Sequence, residues 1–556
     1  MERDDRPSRI DIGARRLRAW RQPWAAPGAL VAVGLLLRLY HLDAQSLWSD
    51  EALSLTAARL PLDQLLERIA KSWNHPPLHY LLLHGWFRWF GFGVWQARSL
   101  SVLFGTLSIA MLYAVARHLF DRRTALASTA LLAISQLGVM YAQEARSYAQ
   151  LSFFVLCAVL LFLVAVRERR TAAWWGFVLA ATAMIYTHYY GTMVVAALFV
   201  WALLSSNRRA LRIAWLAPAA VVVALPGLWW WTRIGLVGRV LDSSVGEAQP
   251  YWFAVHWWTP LANINDFNNG RFAGLHAPPP LWTFIVGGLL FSVPGLLALR
   301  PLLSVPPAGT AAALARERTL LLFLLLALPL GLAWTLGLLN VQYDLRYVLF
   351  CIFPYYLLVA QGLTELRPST ARRVWMVLAL IYGLGALRAN YFVPYKENYR
   401  DAFAYLAEGH RAGDCSVFLP FGRIPLEWAI YRGDDPPLRV TPLASVASGQ
   451  AQCDRVWLIT YQRVEAAIEQ GREGQRMLEH THRLVDQRQF FWVHVGLYVA
   501  RERVAFDTAV IRRNRMGGGP VDHLAVPAVV AAPVLVEDSG PAVELGQERD
   551  PDKHGV

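Results

Sequence analysis

The chain has 556 residues, 55% of them hydrophobic and only 17% charged, with a mean hydropathy of +0.32. A soluble protein would carry about 25% charged residues, so a soluble enzyme is excluded. The net charge of +13 does not indicate nucleic-acid binding either. The arginines fall in short clusters between apolar blocks, which is the pattern of membrane topology. There are 23 Trp and 21 Tyr, many of them near block ends, where amphipathic rings suit the headgroup level.

Residues 1–24 carry Arg3, Arg6, Arg9, Arg15, Arg16, Arg18 and Arg21, which assigns this basic N-terminus to the cytoplasm. The first apolar block, 25–42, lacks a small-residue cleavage site and is read as a retained span. It leads to Asp43, Asp50 and Glu51 on the exterior side. The first exterior loop, 43–97, combines an amphipathic pattern over Leu53 to Ile69 with His75-Pro76-Pro77. Residues 77–91 are apolar but short, and they contain His79, His84 and Arg88. Treating them as a span would put the later arginine clusters outside. Treating them as an interfacial or re-entrant helix keeps every cluster inside.

On that reading the further spans are 98–117, 124–142, 147–166, 172–187, 189–206, 211–232, 281–300, 318–338, 344–365 and 372–390. The sequence thus predicts an all-α polytopic membrane domain over 25–391 with about eleven transmembrane helices. Its interfacial helices lie in the first exterior loop, and its large exterior loop is 233–280. Residues 392–505 change character, with short β-rich stretches between helices, and predict a small extracytoplasmic α/β domain. Helices are expected near 398–407 and 464–478, and strands near 417–419, 456–459 and 491–499. Residues 506–556 are Gly-, Pro-, Val- and acid-rich without a period and are expected to be disordered. Cys157 and Cys351 lie in apolar blocks. Cys415 and Cys453 can pair if their domain faces an oxidising compartment, but two cysteines do not establish geometry.

The map brings polar groups to one face that were not used to draw it. Trp48, Asp50, Glu51 and His75 lie outside, as do Glu144, Arg146 and Tyr148 between two spans. His188, Tyr189 and Tyr190 follow, then Trp252, His256, Trp257 and Trp258, and finally Arg346 and Tyr347. A carboxylate can take a proton from an acceptor. Arginine and histidine can stabilise a phosphate leaving group, and aromatic faces can stack on sugar rings. Each group has a plainer reading. Acids at a span exit can be solvated, Pro76 can open a helix, Arg146 can snorkel, and His188 to Tyr190 can belong to an aromatic belt, as Trp229 to Trp231 do. No glycine-rich nucleotide motif stands out. Asp50, Glu51 and His75 admit a divalent metal, but no ligand cluster demands one, and no cofactor is expected.

The order of motifs carries a resemblance. Ser46-Leu47-Trp48-Ser49-Asp50-Glu51-Ala52 follows the first span, then His75-Pro76-Pro77-Leu78, and Ala97-Arg98-Ser99-Leu100-Ser101 opens the next. Gln143-Glu144-Ala145-Arg146-Ser147-Tyr148 and Asp344-Leu345-Arg346-Tyr347 come later. This resembles the GT-C glycosyltransferases, namely bacterial relatives of protein O-mannosyltransferases, the aminoarabinose transferase of lipid A and rhizobial core glycosyltransferases. The likeness spans about 25–390 and is strongest over 38–166.

It implies a polyprenyl-phosphate sugar donor and a bacterial inner-membrane location, with a lipid, glycan or protein acceptor on the periplasmic side. It implies that Asp50 is the catalytic acidic residue, acting as general base, with Glu51 completing the pair. His75 matches a basic position near the donor phosphate, where some relatives have lysine. Arg146 and Arg346 fall where family arginines approach donor or acceptor. Trp48, Glu144, Tyr148, His188, Tyr189 and Tyr347 are expected to line the substrate. The C-terminal domain does not resemble the sugar-binding modules of eukaryotic protein mannosyltransferases. The alternative from another class is a transporter or flippase of a lipid-linked sugar, using the same polar groups as a path.

Overall fold

The computed structural model describes residues 24–71, 76–168, 170–205, 221, 255–270, 281–307, 310–339, 343–419, 425–433, 437–462 and 465–501. The readings of the N-terminal arginines, His75, the 211–232 span, Trp229 to Trp231, Trp252 and the tail lie outside the described residues.

Five described helices are long and apolar enough to cross a bilayer: Val94–Leu119, Tyr148–Glu168, Ala311–Leu338, Leu345–Glu365 and Ser369–Phe392. Arg122–Ala133 and Gln136–Gln143 make a sixth crossing if taken as one span bent by 59°. Ala25–Leu39, Thr171–Thr187, Gly191–Leu204 and Leu281–Leu297 are apolar but shorter. At about 1.5 Å per residue, such helices fall short of a hydrocarbon core about 30 Å thick. Among the described residues, length and composition therefore account for five or six crossings, which leaves the expected total of about eleven unconfirmed. Leu78–Phe90, at 13 residues, is too short to span. In Ser369–Phe392, Val374, Val377, Leu378, Ile381 and Leu384 are exposed. They recur at helical spacing, as a lipid-facing stripe does.

The bent pair shows how a helix break is tolerated in an apolar setting. A break leaves backbone carbonyls without intrahelical partners, and these must be satisfied locally. Arg38, 1% exposed, donates to the carbonyls of Ala133 at 3.1 Å and Leu132 at 3.3 Å. Ser135 then caps the next turn by accepting from the Gly138 N–H at 3.2 Å, and the Tyr356 hydroxyl binds Ser135 Oγ at 3.1 Å. One buried arginine thus stabilises the break that turns the chain toward Gln143 and Glu144.

The bundle has two chemically different ends. At one, Arg167 bonds the His118 carbonyl, Arg318 bonds the Leu119 carbonyl at 2.7 Å, and Arg372 bonds the Thr364 carbonyl at 3.3 Å. Arginines from three of the expected clusters gather here. The other end, one helix length away along Val94–Leu119, begins with Arg98 and collects the acidic residues and tyrosines.

Residues 399–501 form the α/β domain. Its strands are β1 (Cys415–Leu419), β2 (Arg439–Val440), β3 (Arg455–Tyr461), β4 (His482–Phe490) and β5 (Val493–Ala500), in sheet order β2-β1-β3-β5-β4. β1 is parallel to β2 and β3, whereas β5 is antiparallel to β3 and β4. β3 and β5 are buried almost throughout because they are central strands. The expected strand from 491 begins two residues late, since Phe491 and Trp492 make the turn and Trp492 has φ 58°. β4 was not anticipated. Its polar Asp486-Gln487-Arg488-Gln489 run reads as a loop, and an edge strand tolerates it. Cys415 and Cys453 form a disulfide between β1 and the segment entering β3.

Candidate active site

Trp48 adopts an extended backbone and Ser49–Arg59 begins directly after it, with Asp50 and Glu51 in the first helical turn. Acidic residues there are favoured by the unsatisfied N–H groups of a helix start. Successive helical residues point about 100° apart, so the two carboxylates part company.

Glu51 is fully buried. Its Oε1 accepts from Arg98 Nε at 2.9 Å and from the Ala145 N–H at 2.9 Å. Its Oε2 accepts from Arg98 Nη2 and Lys396 Nζ, both at 2.9 Å. Burial alone would raise its pKa, but the charges of Arg98 and Lys396 and their hydrogen bonds outweigh it and hold the carboxyl down at about 2. Glu144 lies on the far side of Lys396, with Oε1 3.7 Å from Nζ. Burial pushes its carboxyl above the usual range, with Lys396 opposing and Glu51 reinforcing the shift. Both acids therefore sit in an enclosed charge cluster, away from the open face where Glu51 was expected to act and Glu144 to line substrate.

Asp50 faces the other way. Its side chain is 24% exposed, and Oδ2 lies 3.4 Å from Arg346 Nη1. Arg146 Nη1 donates to the Asp50 carbonyl at 3.1 Å and to Ser54 Oγ at 2.9 Å. Arg346 also lies 3.6 Å from Asp344, whose side chain caps the following turn through the Arg346 N–H. The two arginines flank one tyrosine, each guanidinium 5.8 Å from the Tyr148 ring. Trp48 stacks at 4.7 Å on Arg346 and Tyr347 lies 5.5 Å from it. His188 joins through Tyr347, with ring centroids 5.2 Å apart. Tyr190 also packs on Tyr347, at 5.4 Å. Tyr189 was expected to line the site, but it is half-buried in the same turn and its carbonyl accepts from Thr192 Oγ1.

The structure thus brings Trp48, Asp50, Arg146, Tyr148, His188, Arg346 and Tyr347 together. Sequence reasoning missed Tyr80, which hydrogen-bonds Arg146 and whose hydroxyl pKa is raised chiefly by burial. It also missed Lys396, which sits at the start of the segment read as the α/β domain. Arg98 carried a signal, since a charge at the start of an apolar span is costly unless paired. For Arg146, burial lowers the pKa, but Tyr148, Asp50 and Tyr80 raise it above its ordinary value, so the cation is held firmly. Among the described residues no group of three or more His, Cys, Asp or Glu is placed to hold a metal ion.

One partly open carboxylate beside two buried arginines and a ring of aromatics suits an anionic ligand with a polar, proton-bearing partner. The family model for dolichyl-phosphate-mannose-protein mannosyltransferases matches residues 74–231. The fold is similar to that of ArnT from Cupriavidus metallidurans, solved bound to undecaprenyl phosphate. That likeness has a TM-score of 0.53 and 15% identity, over 85% of this chain and 98% of that one. The likeness is one of fold, and this chain shares that fold. The chain is more loosely similar to the Archaeoglobus fulgidus oligosaccharyltransferase in its apo form. There the TM-score is 0.48 with 11% identity, over 79% of this chain and 70% of that one. No curated protein matches this chain significantly by sequence.

Proposed function

We propose that this chain is a membrane glycosyltransferase that moves a sugar from a polyprenyl-phosphate donor to an envelope lipid, glycan or protein acceptor. Asp50 is the general base. The acceptor O–H or N–H attacks the anomeric carbon as Asp50 takes its proton. The bond from that carbon to the phosphate oxygen breaks, and the polyprenyl phosphate leaves with the electron pair. Arg146 and Arg346 stabilise the charge that develops on it. Trp48, Tyr148 and Tyr347 supply flat faces for the sugar. His75 is assigned to the donor phosphate by sequence position alone.

The observation that carries this reading is the partial exposure of Asp50 against Arg346 at 3.4 Å. The likeness to ArnT, a protein crystallised with undecaprenyl phosphate, supports the donor class. The arginine-rich end opposite the site fits a cytoplasmic face, and the Cys415–Cys453 disulfide fits an exterior compartment for the α/β domain. Both support a site facing the periplasm of a bacterial inner membrane. The polar groups gather at one end of the bundle rather than midway along it, which favours transfer over transport.

The test uses Asp50→Asn in membranes with a radiolabelled polyprenyl-phosphate sugar, alongside extracted envelope acceptors. Loss of transfer by at least about 100-fold is expected for removal of a base. Near wild-type transfer rejects the role.

A further inference from the structure

Residues 42–48 lead directly into Trp48 and Asp50, yet they form neither helix nor strand. A segment without regular structure must find partners for its backbone elsewhere. Here every carbonyl from Leu42 to Ser46 accepts a hydrogen bond from one of two arginines. Arg98, from the membrane bundle, donates to Leu42 at 3.0 Å, Gln45 at 2.9 Å and Ser46 at 3.1 Å. Arg400, from the first helix of the α/β domain, donates to Asp43 at 2.7 Å and Ala44 at 2.8 Å.

The residues after the last apolar helix close the same segment further. Gln45 Nε2 donates to the Val393 carbonyl at 3.3 Å and Gln45 Oε1 accepts from the Tyr395 N–H at 3.4 Å. The Leu47 N–H donates to the Tyr431 hydroxyl at 2.6 Å, and that hydroxyl lies 3.2 Å from Ser46 Oγ. Lys396 reaches past the loop to Glu51 at 2.9 Å and is itself only 4% exposed.

We infer that residues 393–400, together with Tyr431, are a positioning clamp for the transfer reaction. Arg400 and Tyr431 hold the backbone before Asp50, and Lys396 holds the residue after it. Asp50 is aligned between Arg146 and Arg346 only while the α/β domain is docked. Ordinary domain packing would place its contacts anywhere on the shared surface. These contacts instead converge on the residues flanking one carboxylate. Lys396 and Arg400 are positioning residues, since neither touches Asp50. This inference rests on the transferase reading for its kinetic consequence but not for its structural one.

The experiment has two arms, both on the full chain in detergent. In the first, Ser46→Cys, 5% exposed in the parent, reports on the loop through maleimide labelling. Labelling is expected to be slow in the parent background and at least about tenfold faster with Arg400→Ala or Lys396→Met added. Unchanged protection in both variants overturns the clamp, whether or not the chain proves to be a transferase. In the second, transfer is measured with Arg400→Ala in a Gln45→Cys/Tyr395→Cys background, before and after a short thiol cross-linker joins the two cysteines. A fall in kcat of about tenfold or more that the cross-link recovers is expected. A kcat that the cross-link leaves unchanged overturns positioning. Absence of transfer by the wild-type chain rejects the proposed function and leaves the labelling result to decide the clamp.

Discussion

Asp50 and Glu51 are chain neighbours with opposite surroundings. Glu51 is enclosed, with both oxygens engaged by Arg98, Lys396 and the Ala145 N–H. Asp50 lies at a looser 3.4 Å from Arg346 and keeps 24% of its side chain exposed. A carboxylate fully bonded by buried cations is poorly placed to accept another proton. One with an open edge can meet a substrate. The comparison sets an enclosed acid beside one that keeps an open edge, and the proposed base is the open one.

The largest expected effect is that of Asp50→Asn, with transfer reduced by at least about 100-fold and the thermal midpoint of the purified protein close to that of wild type. Equal activity would erase the distinction. Next, Glu51→Gln leaves Arg98 and Lys396 without their buried anion and is expected to destabilise the fold by about 3–5 kcal/mol. Fluorescence-detected size exclusion after a heating series would read this directly. A stable but inactive Glu51→Gln protein would reverse the two roles.

Third, Arg346→Lys removes the planar fork that meets both Asp50 and Asp344. Donor KM is expected to rise about tenfold, as measured by varying the polyprenyl-phosphate sugar at saturating acceptor.

A pH effect follows from Glu51. Its pKa is lowered from 4.5 to about 2 in the folded protein, so its stabilisation is fully present above the unfolded value. That stabilisation is lost as pH falls from about 4.5 through about 2. Thermal midpoints taken down this range should drop more in wild type than in Glu51→Gln. The smallest effect belongs to Glu144→Gln. Burial already favours the protonated form of Glu144, so a neutral amide is expected to change stability by only about 1 kcal/mol or less.

Much of the site was legible as motifs. Trp48, Asp50, Arg146, Tyr148, His188, Arg346 and Tyr347 are polar or aromatic groups at the ends of apolar blocks, and topology alone placed them on one face. The division between Asp50 and Glu51 was not legible. It depends on the direction of two side chains in one helical turn and on Lys396, some 345 residues away in the chain. The span count was only partly legible. Apolar blocks such as 25–42 and 172–187 were visible, but the helices they form are too short to establish a crossing by length. β4 escaped because edge strands need no apolar pattern, whereas buried β1 and β3 announced themselves.

Composition, the arginine clusters and the order of the motifs by themselves pointed to a multi-pass membrane protein with polar and aromatic groups gathered at one end and an α/β fold toward its C-terminal part. They do so because hydrophobicity and charge bias are local properties that a bilayer reads segment by segment. Only the tertiary structure decided which carboxylate is enclosed and which stays open. It also decided that the α/β domain grips the loop before Asp50, and that Arg38 stabilises a broken helix. Those outcomes depend on partners distant in sequence, and a buried charge is defined by whatever packing brings to it.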